Sequence, residues 1–386
     1  MSQPIYLDHH ATTPCAPEVL EAMLPWFTER FGNASSRQHT YGRDARMATE
    51  AARREVAALL SASPRDITFT SGATEGINWL LKGLVASARG ETANVVVSAI
   101  EHAAVLDVCD ALARDGVEVR VVPVAADGLV NPEDVAACLD EATAAVAVMA
   151  ANNEIGALQP IGEIGALCRA AGAPLVCDVA QAAGQVPIDV NSFGADALVM
   201  SSHKLYGPKG VGAVWTRPAR PPLRVTPLIH GGGHERGLRG GTLPVPLLIG
   251  FGRACALVQE TLATEAVRVA ALRDTLLELL RNGCPGLRVN GSMAHRLPNN
   301  LNVSLPGVQA EELLTACSEK VALSSGSACS TDKLTASHVL AAIGLEPVHA
   351  FSSLRFGLGR ETTEADIERA AEVVLAYCTK VGATGG

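Results

Sequence analysis

The segment Ser201-Ser202-His203-Lys204-Leu205-Tyr206-Gly207-Pro208-Lys209-Gly210 decides how this chain is interpreted. An apolar run from Ala195 to Met200 precedes it, and a second strand-like run, Val211 to Trp215, follows it. This pattern predicts that Lys204 lies at the end of a strand, in a tight turn before the next strand. An uncharged lysine amine is a nucleophile that forms Schiff bases with aldehydes. On this decapeptide alone, a solvated turn lysine is an equally good interpretation, so the rest of the chain has to decide.

Composition limits the classes of protein to consider. A chain of 386 residues favours two domains, or one large α/β domain with an appendage. With 48% hydrophobic and 18% charged residues it should be globular, and its net charge of −9 argues against direct binding of nucleic acid. We expect no membrane span and no secretory signal, because no apolar run reaches about 18 residues and the N-terminus lacks a basic and apolar leader. The ten cysteines include no C-x-x-C pair, so we expect reduced thiols and a cytoplasmic location.

Strand-like and helix-like segments alternate from residue 66 onward, which predicts a mainly parallel sheet covered on both faces. The strand-like segments are Ile67–Thr70, Asn94–Ala99, Glu118–Pro123, Ala145–Ala150, Pro174–Cys177, Ala197–Ser201 and Val211–Trp215. The helix-like segments are Tyr41–Leu60, Ala73–Ala88, Ala103–Arg114, Pro132–Leu139 and Ile161–Ala171. Ligands of such sheets bind at the carboxyl ends of the strands.

The composition changes after Arg217. A proline-rich connector and a glycine-rich loop, 230–242, lead to a long helical stretch, about Pro246 to Leu280, and then to a second α/β unit. In that unit Asn300–Leu305 and Ser353–Leu358 are strand-like, and Glu311–Ser318, Ser337–Ile343 and Thr363–Tyr377 are helical. We expect an N-terminal arm (1–15) that packs with the small domain, a large domain (16–246) and a small C-terminal domain (247–386).

Polar residues stand where the predicted strands end. The segment Thr70 to Glu75 connects a strand to a helix, and its small residues could close on an anion at the helix N-terminus. A plain helix cap explains it equally well. The segment is neither a Walker A loop nor a dinucleotide fingerprint, so a single phosphate is the better candidate ligand.

Asp178 ends another strand, where its carboxylate could hold a protonated ring nitrogen; a helix N-cap is the alternative. His102 and Asn153 also follow strands. Together with Thr74 and Lys204, these residues should lie along one edge of the sheet. A lysine that forms a Schiff base, an acid for a pyridinium nitrogen and a phosphate cradle define a pyridoxal-phosphate site.

On these residues the chain resembles the cysteine desulfurases, which belong to the fold type I pyridoxal-phosphate enzymes, from about Tyr6 to Arg360. The matching segments are Leu7-Asp8, Ala11-Thr12-Thr13-Pro14, Thr70-Ser71-Gly72-Ala73-Thr74-Glu75, Glu101-His102, Asn152-Asn153-Glu154-Ile155-Gly156, His203-Lys204 through Gly210, His230-Gly231-Gly232-Gly233-His234-Glu235, Ser324-Ser325-Gly326-Ser327-Ala328-Cys329 and Leu354-Arg355-Phe356. The resemblance implies an α/β fold with a mainly parallel seven-stranded sheet in a large domain and a smaller α/β C-terminal domain. The Ser-Ser-Gly-Ser-Ala-Cys form is similar to the branch that supplies iron–sulfur assembly and tRNA thiolation.

The resemblance also implies a role for each matching residue. Lys204 would hold pyridoxal 5'-phosphate as a Schiff base, Asp178 would pair with its ring nitrogen, Gln181 would contact its ring hydroxyl, and His102 would stack on the ring and exchange protons. The phosphate would be bound by Ala73, Thr74, Ser201 and His203, and by Thr242 of a second subunit. Asn33, Asn153 and Arg355 would bind the carboxylate of the substrate.

Cys329 would receive the sulfur of L-cysteine as a persulfide and pass it to an acceptor protein, with L-alanine as the product. The acceptor stays open among an iron–sulfur scaffold, a tRNA thiolation enzyme, a DNA phosphorothioation partner and a cofactor pathway. The alternatives are a selenocysteine lyase, another lyase that uses the same cofactor, and a non-catalytic scaffold that binds a partner. A homodimer is expected, and no permanent metal site, although Cys329 could bind a cluster transiently.

Three further features complete the expectations. The segment from Ser324 to about Ser337 has few apolar residues and should be a mobile loop long enough to carry Cys329 between the cofactor and a docked acceptor. His230 and His234 have no further ligands nearby, so we expect a loop that contacts the cofactor or a neighbouring subunit rather than a zinc site. The pair His9-His10 has no explanation at the level of sequence.

Overall fold

The computed structural model describes residues 3–88, 93–218, 222–325, 327–330 and 333–382, with the backbone alone for 327–330 and 333–335. The described helices are α1 Pro17–Met23, α2 Pro25–Thr28, α3 Thr40–Leu59, α4 Ala73–Ser87, α5 Ala103–Arg114, α6 Pro132–Ala137, α7 Ile161–Ala171, α8 Val245–Gly283, α9 Ala310–Cys317, α10 His338–Ala342, α11 Pro347–Ala350 and α12 Glu364–Lys380. The described strands are β1 Ile5–Tyr6, β2 Ile67–Thr70, β3 Asn94–Ser98, β4 Glu118–Val122, β5 Thr143–Ala147, β6 Leu175–Asp178, β7 Ala197–Ser201, β8 Gly212–Thr216, β9 Arg288–Val289, β10 Asn300–Ser304, β11 Val321–Ala322, β12 Ser324–Ser325, β13 Ser327–Ser330, β14 Lys333–Ala336 and β15 Ser353–Gly357.

A seven-stranded sheet forms the centre of the larger part of the molecule, in the order β2-β8-β7-β6-β5-β3-β4. In this order, the five neighbouring strands β7, β6, β5, β3 and β4 are parallel, and β8 runs antiparallel to both of its neighbours. The predicted α/β fold with a mainly parallel seven-stranded sheet is therefore confirmed. The carboxyl ends of β3, β5, β6 and β7 meet at one edge of this sheet, which is where ligands of such folds bind.

Apolar strands that are covered on both faces explain why this sheet forms. Every residue of β2, β3, β5 and β7 is buried. One face packs against α4 and α5, whereas the other packs against α6, α7 and the first half of α8. At the end of the sheet, β4 carries the partly exposed charged residues Glu118 and Arg120, which discourage pairing with another chain.

The C-terminal part is built on a four-stranded sheet in the order β12-β15-β10-β9. Its core contains the second half of α8 together with α9 and α12. The N-terminal arm joins this part, because β1 pairs with β11 and Leu7 is buried in the same core. We infer that the arm belongs structurally to the C-terminal part.

Helix α8 begins at Val245, next to the predicted boundary at 246/247, and it serves both parts. Leu248, Phe251 and Val258 pack into the core of the large sheet, whereas Val269 and Leu276 pack into the C-terminal core. We therefore propose that the division between the domains falls inside α8, between Val258 and Val269.

Among the described helices, α8 alone is long and apolar enough to cross a membrane, judged by length and composition only. Half of its most apolar stretch is buried inside the protein. Its apolar residues face the two cores on either side of the domain division, as expected of a core helix.

The segment around Cys329, which the sequence predicts to be a loop, contains three short strands in its described backbone. Ser324 and Ser325 form β12, and the backbone of β13 pairs with β14 in a hairpin that sets Cys329 opposite Leu334. These short polar strands lack the alternating apolar pattern that marks a strand in sequence. Gly326, Thr331, Asp332 and the side chain of Cys329 lie outside the described residues, so the expected mobility of this segment remains a prediction.

Candidate active site

A cavity of about 520 Å³ lies at the carboxyl edge of the large sheet. Nine of the predicted site residues line it: Ala73, Thr74, His102, Asn153, Asp178, Gln181, Ser201, His203 and Lys204. They come from the last residues of β6 and β7 and from the segments that follow β2, β3, β5, β6 and β7. The chain topology thus brings together residues that are up to 131 positions apart, from Ala73 to Lys204.

Lys204 occupies a short 3₁₀ turn, Ser202–Lys204, immediately after β7. Its Nζ donates hydrogen bonds to the backbone carbonyls of His10 and of Ala11, the latter at 2.9 Å. Burial, aided by the nearby guanidinium of Arg355, lowers the pKa of Lys204 to about 8, against the opposing pull of Asp178 and Asp8. About a tenth of the amine is therefore uncharged at pH 7, far more than for an ordinary lysine, and the uncharged form is the nucleophile.

Asp178 is the last residue of β6 and faces the same cavity. Its Oδ1 accepts one hydrogen bond, at 2.8 Å, from the backbone N–H of Ala180. Burial raises the pKa of Asp178, while that hydrogen bond, His102 and Lys204 act in the opposite direction. The helix N-cap alternative is wrong, because a turn and not a helix follows Asp178. One oxygen of the carboxyl group makes a local turn contact, and the second can pair with a ligand cation.

His102 begins α5, where its Nδ1 accepts a hydrogen bond from the N–H of Ala104 at 3.1 Å. The loss of solvent around the ring lowers the pKa of His102, although Asp178 opposes this shift. Because Nδ1 accepts, the neutral ring carries its proton on Nε2. The imidazole is thus held in one orientation on the wall of the cavity.

Glu101 lies beneath this wall, with 1% of its surface exposed. Its Oε1 accepts hydrogen bonds from Ser98 Oγ at 2.6 Å and from the N–H of Met149 at 2.8 Å. Burial raises the pKa of Glu101 to about 8, and the charge of Asp178 acts in the same direction. Glu101 is therefore mostly protonated at neutral pH, next to the carboxyl group of Asp178.

The N-terminus of α4, which follows Gly72, is also part of the cavity lining. The N–H of Ser71, just before the helix, donates to Glu75 Oε2 at 2.8 Å, and Glu75 also pairs with Arg239 at 2.8 Å. The N-cap residue Gly72 itself makes no side-chain cap. The N–H groups of the first helical turn have no partner within the helix and suit an anion.

His203 and Ser201 flank this helix end in the cavity lining. Ser201 is buried, and His203 Nδ1 lies 3.1 Å from Thr12 Oγ1. Burial, with help from Lys204, lowers the pKa of His203 to about 4, so its ring is neutral and available for hydrogen bonds rather than as a charge.

Of the other four predicted residues, Cys329 has a side chain outside the described residues, and Arg355, Asn33 and Thr242 are not part of the described lining. Arg355, on β15, donates to the Asn153 carbonyl at 3.0 Å and, through Nη2, to Asp8 Oδ1 at 2.8 Å and Ser324 Oγ at 3.0 Å. Its Nε is buried and has no partner in the described part of the chain. Asn33 is exposed and accepts a hydrogen bond from the Ser35 N–H, while Thr242 is exposed in the glycine-rich loop. Within one chain, therefore, the site holds neither Asn33 nor Thr242.

The N-terminal arm contributes contacts to the site that the sequence did not predict. Ala11 and Thr12 line the cavity, and His10 contacts both Gln181 and Lys204. The matching segments Leu7-Asp8 and Ala11 to Pro14 were the available signal. The contact between His10 and Lys204, 194 positions apart, depends on tertiary structure.

Comparisons with known proteins agree with this architecture. The family model described as aminotransferase class-V matches residues 5–370. The cysteine desulfurase IscS of Anaeromyxobacter sp. (strain Fw109-5) is 48% identical over 381 residues, which cover 99% of this chain and 94% of that protein.

Two solved structures extend the comparison. A NifS-like protein superposes with a TM-score of 0.91 at 33% identity, covering 98% of this chain and 100% of the other. The structure described as SspA in complex with cysteine superposes with a TM-score of 0.80 at 36% identity, covering 92% of this chain and 99% of the other. This chain therefore belongs to the class-V aminotransferase family and, within it, to the cysteine desulfurases.

Proposed function

We propose that this protein converts L-cysteine to L-alanine with pyridoxal 5'-phosphate as its cofactor, and that Cys329 receives the sulfur as a persulfide. The observation that carries the proposal is the cavity at the sheet edge, where Lys204 lies with Asp178, His102 and the N-terminus of α4. Membership of the cysteine desulfurase family selects the reaction among those that such a cavity could support.

The described residues fit the cofactor at each of its functional groups. Lys204 hydrogen-bonds only to backbone carbonyls among the described residues, and its lowered pKa favours the nucleophilic amine that attaches the aldehyde carbon. Asp178 offers a carboxylate oxygen to the ring nitrogen. The start of α4, with Ser201 and His203, offers neutral donors to the phosphate.

The cofactor, when bound, supplies an electron sink for the carbanion that forms at the α carbon of the substrate. The residues of this chain orient the reactants and move protons. Asp178 would keep a proton on the ring nitrogen, and Lys204 Nζ, once released by the incoming amino group, would remove the α proton. Positioned proton transfer of this kind typically contributes about 10²–10⁴-fold to the rate.

Arg355 is the residue we propose for the substrate carboxylate. Its guanidinium already holds Asp8, and its unpartnered Nε shows that its donors are not all used. A substrate carboxylate would compete with Asp8 for this cation, with Asn153 next to it on the cavity wall. Asn33 could take part only if its loop moved or if it acted in another chain.

Cys329 Sγ would attack the sulfur of the substrate. The substrate C–S bond breaks as the S–S bond forms, so one thiol and one molecule of cysteine yield one persulfide and one molecule of alanine, with no external oxidant or reductant. The persulfide would then pass to a thiol of an acceptor protein.

The test measures alanine and persulfide formed by the purified protein supplied with the cofactor and L-cysteine. Wild type should form both, and Cys329→Ser should lose the persulfide. Cys15→Ser, which removes an exposed thiol, is the matched control and should behave as wild type. Lys204→Ala should lose the visible absorbance band of covalently attached cofactor. A protein that forms a persulfide equally well without Cys329, or attaches the cofactor without Lys204, would contradict these assignments.

A further inference from the structure

His10 has no part in the proposed reaction, although it is buried next to the cavity. Its side chain is 1% exposed and packs against Gly357, where an added Cβ would lie 2.8 Å from His10 Cδ2. The room for this imidazole therefore depends on the absence of a side chain at the end of β15. The His10 imidazole is therefore packed inside the protein, in the space left by the missing side chain of Gly357.

Two residues of the proposed cofactor site are bound by His10. Its Nδ1 lies 2.9 Å from Gln181 Oε1, and its backbone carbonyl accepts hydrogen bonds from Gln181 Nε2, at 2.9 Å, and from Lys204 Nζ. Because Gln181 donates through Nε2 to the carbonyl, it must present Oε1 to the ring, so His10 Nδ1 carries the proton and donates. These two contacts hold the Gln181 amide in one orientation and leave the second N–H of Nε2 available.

Packing alone does not account for a histidine at this position. Burial lowers the pKa of His10 to about 3, and Arg355 and Lys204 act in the same direction, so the ring is neutral. With the proton on Nδ1, Nε2 is a bare acceptor that is buried and unpartnered among the described residues. A buried acceptor without a partner is unfavourable, and an apolar side chain would avoid that cost. The contact that distinguishes histidine from an apolar residue is the one with Gln181.

We propose that His10 is a positioning residue that keeps the Gln181 amide turned so that an N–H faces the cavity. Gln181 then donates a hydrogen bond to the ring hydroxyl oxygen of the bound cofactor. A rotated amide would present its carbonyl oxygen there and repel the same atom. The inference rests on the proposed function, because it requires that the cavity bind pyridoxal phosphate.

Two substitutions at His10 separate the hydrogen bond from the packing. Asparagine can place a side-chain N–H near the position of Nδ1, whereas leucine has a comparable volume and no donor. The protein is freed of cofactor, and pyridoxal phosphate is titrated back while tryptophan fluorescence reports its dissociation constant. His10→Leu should weaken the affinity roughly 3- to 10-fold, as the loss of a neutral hydrogen bond does, while His10→Asn should stay within about twofold of wild type.

A double substitution provides the decisive control. In a Gln181→Leu background, His10→Leu should cause no further loss of affinity, because the amide that it positions is gone. Thermal unfolding of the cofactor-free variants reports any change that is purely structural, and His10→Met replaces His10→Leu if the latter does not fold.

Two results would overturn the inference. One is equal affinity of the leucine and asparagine variants, whether both match wild type or both are weakened alike. The other is a leucine effect that persists in full without Gln181. If the wild-type protein does not bind pyridoxal phosphate at all, the proposed function fails together with this inference. Normal binding that is indifferent to residue 10 overturns this inference alone.

Discussion

The expected reactivity of Lys204 depends on its surroundings. Its amine is partly buried, donates hydrogen bonds to two backbone carbonyls and lies near the guanidinium of Arg355. We expect the rate at which an amine-reactive reagent labels Lys204 in the cofactor-free protein to rise with pH through a midpoint near 8, the pKa of this amine, and to level off at higher pH. Mass spectrometry of the Lys204 peptide, with the exposed Lys320 as internal reference, measures this profile.

The same experiment tests the influence of Arg355. Arg355→Gln removes a cation that disfavours the charged amine, so the midpoint for Lys204 should move to higher pH. An unchanged midpoint in this variant would show that Arg355 does not contribute to the lowered pKa of Lys204.

Glu101 makes stability depend on pH in a direction that can be derived. Burial raises its pKa from the ordinary value of 4.5, which the unfolded chain should restore, to about 8 in the folded protein. The folded state therefore binds more protons than the unfolded state between these two values, and wild type should lose stability as the pH rises from about 5 to 9. Glu101→Gln, which keeps an acceptor for Ser98 and Met149, should lose less. Urea unfolding of the cofactor-free proteins at both pH values measures the difference, and parallel losses would refute the assignment.

At the scale of elements, the glycine-rich loop, residues 230–242, is anchored by a buried ion pair. Glu235 accepts two hydrogen bonds of 2.7 Å from Arg53 on α3 and one from the N–H of Phe69 on β2, and both charged side chains are at most 4% exposed. The backbone supports this contact at a cost, since Glu235 and Arg236 have φ values of 46° and 60°.

Breaking that pair should destabilise the protein strongly. Glu235→Gln removes the buried counter-charge of Arg53 and leaves only Glu50, which is half-exposed and lies 3.3 Å from Arg53 Nε. The expected loss is about 3–5 kcal/mol of unfolding free energy. The exposed pair Arg369–Glu372 is the matched control, and Glu372→Gln should cost less than about 1 kcal/mol. Denaturant unfolding compares the two variants; similar small losses would mean that Glu235 does not anchor the loop.

Local pattern predicted the helices and the central strands well. The limits of α5 and α7 agree residue for residue with their periodic segments, because each is an amphipathic run between clear turn signals. The strand-end rule likewise predicted which polar residues would line the cavity. The role of Glu235 could not be predicted, since its partner Arg53 lies 182 positions away. The hydrogen bond between His10 and Gln181 could not be predicted either, because the two residues are 171 positions apart.

At the scale of the whole molecule, we propose that the protein is a homodimer, because one chain exposes Thr242 and several large apolar side chains. Thr242 is exposed on a loop that Glu235 and Arg239 fix to the large domain. Several large apolar side chains are exposed on the N-terminal helices and on the segments that connect them: Leu20, Leu24, Phe27, Phe31, Tyr41 and Met47. Apolar patches of this kind mark association surfaces. Sedimentation should show a dimer at assay concentrations, and a fully active monomer would refute the proposal.

Subunit mixing tests whether Thr242 completes the phosphate site of the partner subunit. Thr242→Ala should weaken the affinity for pyridoxal phosphate by about tenfold, as the loss of a hydrogen bond to a charged group does. Lys204→Ala should lose covalent attachment. If each site combines Lys204 of one chain with Thr242 of the other, a mixed dimer of the two variants contains one intact site and one doubly altered site.

After the two variants are unfolded and refolded together, about a quarter of all sites should therefore attach the cofactor with wild-type affinity, because half of randomly paired dimers are mixed. The control mixes wild type with a chain that carries both substitutions, in which no mixed dimer has an intact site. A site contained within one chain predicts the reverse: the double-variant mixture would keep wild-type sites in its mixed dimers, and the two single variants would gain none on mixing.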